Sequence, residues 1–97
     1  MGSSVSRQHR EQILEKTADA VTVDRNIDYG DPEDNFLQIA DLWSAYKKMP
    51  FTRLDVAQMM TLVKIARSTT SPTLSDHYVD GAGYQACAYG CAVEDAR

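Results

Sequence analysis

The sequence predicts an all-α domain, a compact bundle of about four helices, and three observations carry that prediction. Apolar residues recur at three- and four-residue spacing in four separate stretches. Capping or breaking residues separate these stretches, and none shows the period-two alternation of a half-buried strand. The chain has 97 residues, 43% apolar and 25% charged, which suits one domain with a modest core. A core of that size is commonly completed by self-association, so a homo-oligomer is expected.

Residues 1–5 are expected to be a disordered lead or a cloning remnant, and 6–97 a single helical domain. The first helix runs from Ser6, a candidate cap, to about Asp24, with Ile13, Leu14, Ala18 and Val21 on its apolar face. Asn26 to Asp31 reads as a loop in which Tyr29-Gly30 makes the turn, because glycine takes positive φ without a steric penalty. Asp31-Pro32-Glu33-Asp34 is a strong helix start: Asp31 at the N-cap, Pro32 where a missing N–H costs nothing, then two acids that suit the helix dipole. This second helix reaches about Lys48 and carries Phe36, Ile39, Ala40, Trp43 and Tyr46 as a stripe.

Thr52 and Asp55 resemble a capping box opening the third helix. Its apolar face of Val56, Met59, Met60, Val63 and Ala66 is widened by Leu62 and Ile65, a width that predicts burial between neighbours. Ser68 to Leu74 is a loop, and Ser75 can cap the fourth helix, which ends near Glu94. That helix holds Gly81, Gly83 and Gly90 among alanines. Glycine inside a helix costs roughly 1 kcal/mol against alanine, so close approach of another helix is predicted there. Self-association is expected through the apolar third helix or this small-residue fourth helix.

Charge and composition exclude several functions. The net charge is −4 and the longest basic run is Lys47-Lys48, which argues against nucleic acid, where phosphate contacts supply much of the affinity. No stretch of about twenty apolar residues could span a membrane, and no secretion signal is visible. Cys87 and Cys91 read as small core residues of a protein in a reducing cytoplasm. His9 and His77 read as surface residues.

Lys64 and Arg67 share one side of the third helix, while Asp76 and Asp80 share one side of the fourth, with Tyr84 a turn further on. An antiparallel pairing of the two helices brings the bases near the acids. Two readings follow. One is a salt-bridge set that pins a helical hairpin. The other is a polar site in which carboxylates hold Mg²⁺ and the basic pair holds phosphate.

The series "DYGDPEDNF", "LW", "DVAQMMTLVKIAR" and "DHYVDGAGY" resembles a family of small phage and prophage proteins of unknown function, over Asp24 to about Cys91. It is more distantly similar to the all-α nucleotide pyrophosphohydrolases of the MazG type. That resemblance implies a Mg²⁺-dependent nucleoside triphosphate pyrophosphohydrolase in the cytoplasm of a bacterial host. Asp76 and Asp80 would then be metal ligands, joined by Asp31 or Asp55. Lys64 and Arg67 would steady phosphates, and Tyr29, Asn35 or Trp43 would read the base. The family's Glu-x-x-Glu motif has no match here, which favours the alternative of a non-catalytic interaction or small-ligand-binding helical protein.

Overall fold

The computed structural model describes residues 2–24 and 31–97. Among them are four α-helices and no strand, as the periodicity predicts. Helix α1 spans Gly2–Asp19 and continues into a π-helical turn, Ala20–Asp24; α2 spans Pro32–Lys47, α3 Arg53–Thr70 and α4 Ser75–Asp95.

The helix ends show where local chemistry differs from the expectation. Ser6 does not cap α1, which begins four residues earlier; its hydroxyl instead accepts from the Arg10 guanidinium at 2.9 Å, one turn on. Asp31 occupies the N-cap of α2 in extended backbone, but the cap is made by its carbonyl, which accepts from the Asp34 and Asn35 N–H groups at 3.2 Å each. Lys48 closes that helix in the left-handed region, φ 57°. Thr52 and Asp55 form the full capping box, at 2.9 and 3.0 Å. Helix α3 runs to Thr70, past the predicted loop start at Ser68, because Ser68 and Thr69 turn their hydroxyls back onto the Ile65 and Ala66 carbonyls at 2.7 Å. Leu74, not Ser75, is the N-cap of α4.

Helices α3 and α4 form an antiparallel hairpin. Arg53 at the start of α3 donates to Asp95 at 2.7 Å and Glu94 at 2.9 Å at the end of α4. In mid-helix, the Gln85 amide donates to Gln58 and Thr61 at 2.6 and 2.8 Å. Phe36 and Ala40 of α2 close the core over Val56 and Ala57 of α3 and Cys87, Ala88 and Cys91 of α4. Trp43 stands edge-on to Phe51, with ring centroids 5.9 Å apart.

The glycines of α4 serve three different neighbours. A Cβ on Gly83 would lie 3.0 Å from Val21, on Gly90 3.4 Å from the Glu33 carboxylate, and on Gly81 3.7 Å from the Lys64 Cβ. Helix α4 is therefore the shared wall of the molecule, and its small residues are occupied within the chain. Against α1 the seam runs through Ile13, Thr17 and Val21, not through Leu14 and Ala18, which are exposed. Thr17 is buried and satisfies its hydroxyl on the Ile13 carbonyl at 2.7 Å.

Two expectations of burial fail. Tyr46 is 84% exposed because it falls to the flank of the Phe36–Ala40 face. On α3, Met59, Leu62, Val63 and Ile65 stay exposed because α2 and α4 cover only its opposite side. The radius of gyration is 15.0 Å, against about 13 Å for a compact chain of about this length. The core is thin.

The glycine contacts give a paired prediction. Gly83→Leu should lower stability by about 1–3 kcal/mol by forcing α1 off α4. Gly81→Ala, whose Cβ meets only ordinary contact, should raise it by about 0.5–1 kcal/mol. Urea unfolding followed by circular dichroism measures both; equal effects would contradict the packing described.

Candidate functional site

A cavity of about 310 Å³ opens where the end of α1 meets α2 and α4. Its walls are apolar: Ala20 and Val21 from the π-helical turn, Phe36 and Ile39 from α2, Met60 from α3, and Val79, Gly83 and Cys87 from α4. Gly83 matters here because the room that admits Val21 against α4 also sets the cavity's width. Three groups in the lining bear polar chemistry: the Asn35 amide, the Asp80 carboxylate and the Tyr84 phenol. The rings of Phe36 and Tyr84 lie 6.0 Å apart at 42°.

Asp80 accepts from Lys64 Nζ at 2.9 Å, the one member of each predicted pair that the structure joins. Both side chains are largely withdrawn from water, 31% and 14% exposed. A second, smaller hollow of about 170 Å³ shares Val21, Pro32 and Cys87 with the first and adds Glu33. The two hollows therefore adjoin, one lined by the Asp80 side chain and the other by Glu33. Sequence reading missed Glu33, because its place in the first turn of α2 is fully accounted for by the helix dipole.

The remaining candidates lie elsewhere. Asp55 is committed to the capping box, about 13 Å along α3 from Lys64. Asp76 stands exposed in the first turn of α4, and Arg67 is exposed and makes no ion pair among the described residues. Asp31 caps α2 beside the cavity residue Pro32. Trp43 packs against Phe51 and takes no part in the cavity wall. Asp28 and Tyr29 lie outside the described residues. Among those described, no three His, Cys, Asp or Glu side chains gather to hold a metal ion, so Asp31, Asp55, Asp76 and Asp80 are not one ligand set.

Two groups outside the cavity lining are withdrawn from water. His77 is half-buried, not a surface residue, and its Nε2 is buried without a hydrogen-bond partner among the described residues. Burial pushes the Cys91 thiol up from its ordinary value, opposed by the nearby Arg53 guanidinium, so it remains a neutral thiol at physiological pH. Neither cysteine forms a disulfide among the described residues, as their helical spacing predicts.

The shape of this site rests on Asn35, Asp80, Gly83 and Tyr84, which fall inside a stretch matched by a known family. The model of that family, described as Domain of unknown function (DUF6378), matches residues 12–92. The chain belongs to the DUF6378 family. It is 40% identical over 77 residues to the Gene 55 protein of Mycobacterium phage D29, covering 79% of this chain and 51% of the relative. To the Gene 55 protein of Mycobacterium phage L5 it is 45% identical over 73 residues, covering 74% and 47%. This DUF6378 chain thus spans about half the length of these curated phage relatives. No solved structure matches it. No helix among the described residues is long and apolar enough to cross a membrane.

The Lys64–Asp80 pair should be measurable on its own. Lys64→Met leaves a partly withdrawn carboxylate without its cation and should cost about 1–2 kcal/mol. Adding Asp80→Asn should recover part of that loss. A double-mutant cycle in urea checks this, and strictly additive losses would mean the pair is not formed in solution.

Proposed function

We propose that this DUF6378 domain is a phage ligand-binding protein that takes a nucleotide in the cavity between α1, α2 and α4. The observation that carries the reading is the convergence of Asn35, Asp80 and Tyr84 on one apolar cavity. Lys64 is held at its margin by Asp80. Its volume falls at the low end of the roughly 300–1,000 Å³ typical of small-molecule sites, enough for a base or nucleoside with the phosphates outside. Phe36 and Tyr84 offer aromatic faces for a flat ring, and Asn35 both donates and accepts at its edge.

Phosphates would be met by Lys64 and, one turn further along α3, by Arg67. Of the carboxylates, Asp80 is the one that lines the main cavity. A Mg²⁺ ion held by a single carboxylate takes its other ligands from phosphate and water, so it would enter with the nucleotide. Cleavage to monophosphate and pyrophosphate is a second reading, favoured by Glu33 in the adjoining hollow. Binding without cleavage follows more directly from a carboxylate already paired with lysine. The working compartment in this reading is the cytoplasm of the infected bacterium, where cysteines stay reduced.

Thermal shift against nucleoside mono-, di- and triphosphates, with and without Mg²⁺, tests this. A ligand near 100-fold above its Kd contributes about 2.7 kcal/mol, which in a domain of about this size raises Tm on the order of 10 °C. Asp80→Asn and Tyr84→Phe should reduce that shift while leaving the helical spectrum unchanged. Wild-type protein giving a flat screen at millimolar nucleotide would sink the proposal. Pyrophosphate release, assayed alongside, separates cleavage from binding.

A further inference from the structure

Helix α1 is held to the rest of the fold by one narrow seam. From Val5 to Thr22 only Ile13, Thr17, Ala20 and Val21 are withdrawn from water, and of these Thr17 alone is buried. The seam meets α4 at Gly83, where a Cβ would lie 3.0 Å from Val21 and 3.9 Å from Thr17. The Thr17 hydroxyl stands 3.4 Å from the Val79 carbonyl, at the weak limit of a hydrogen bond. No ion pair ties α1 to another element among the described residues. Helix α1 and its π-helical turn pack on α4 and make no comparable contact with α2 or α3.

That gap is where the cavity lies. Ala20 and Val21 form one wall, and Pro32, Asn35, Phe36 and Ile39 of α2 form another. A molecule in the cavity therefore touches the end of α1 and α2 at once, and supplies the contact between them that the chain itself lacks. The wall it meets is the end of a helix drawn into a π turn, a form often found at functional sites. Burying Ala20 and Val21 against an occupant adds apolar contact to a seam that has little. Occupancy and seating of α1 then favour each other, as linkage requires when a ligand binds the seated form better than the open one. We propose that α1 is a strap over the cavity: it opens locally from α4 in the free protein, and filling the cavity holds it closed. That the occupant is a nucleotide rests on the function proposed above; the opening of α1 does not.

Native-state amide hydrogen exchange on the full chain, read residue by residue by NMR, tests this. In the free wild-type protein the amides of Thr17 to Val21 should exchange at least about tenfold faster than those of Cys87 to Cys91, through an opening that leaves the α3–α4 hairpin closed. Ala20→Leu puts a larger apolar side chain into the cavity and should slow the α1 amides at least about fivefold. Gly81→Ala, which acts on the hairpin, should leave them unchanged. A mixture of nucleoside triphosphates with Mg²⁺ should slow them about tenfold once the bound species exceeds its Kd about tenfold. Slowing by Ala20→Leu without any response to the triphosphates would support the strap and remove the nucleotide. Ala20→Met, flexible enough to fill irregular space, repeats the test if leucine disturbs the helical spectrum. Helix α1 amides that exchange in step with those of α4, that neither filling variant slows, or that Gly81→Ala slows as much as Ala20→Leu, would overturn the strap.

Discussion

The architecture depends on how closely three helices can approach α4. Gly83 removes the side-chain atom that would press on Val21 at the end of α1, Gly90 leaves room for the Glu33 carboxylate of α2, and the alanines and cysteines around them keep the rest of that surface low. None of these glycines is needed for an unusual backbone angle, so their role is room, not conformational freedom. The helix accepts their lower propensity in exchange for contacts with all its neighbours. With a larger residue at Gly83, α1 would lose its seat.

The cavity follows from that same arrangement. The π-helical turn at Ala20–Asp24 carries Val21 onto Gly83, and α2 leans on α4 near Glu33 and Gly90. The space beside the Val21–Gly83 contact is lined by Phe36, Met60, Val79 and Tyr84. Asp80 enters it one residue before the glycine pair, so the residue that anchors Lys64 also lines the cavity. One residue thus pins the hairpin and lines the cavity.

Much of this was legible in the sequence where a local rule governs. The capping box at Thr52 and Asp55, the Pro32 helix start and the glycine-rich surface of α4 all follow from chemistry within a few residues. The pairing of Lys64 with Asp80 follows from helix spacing and a short hairpin turn. What escaped was anything that depends on which neighbour a face meets. The broad apolar face of α3 reads as buried, yet half of it has no cover within the chain. Tyr46 keeps the spacing of the α2 stripe but falls at its flank. The separation of Asp55 from Asp80 was already implied by the capping box, which commits Asp55 to the start of α3; only the MazG-type resemblance made it a candidate ligand. Glu33 was overlooked for the opposite reason: a complete local explanation left nothing to prompt a second one.

The most direct test of the ligand assignment is to titrate ¹⁵N-labelled protein with a nucleoside triphosphate and Mg²⁺ and follow the backbone amides. Perturbations should concentrate at Asn35, Asp80, Gly83 and Tyr84, with Leu62 and Tyr46 unmoved. Saturable shifts clustered instead around Leu62 and Tyr46, or no saturable shifts at all, would contradict the assignment of the cavity as the ligand site.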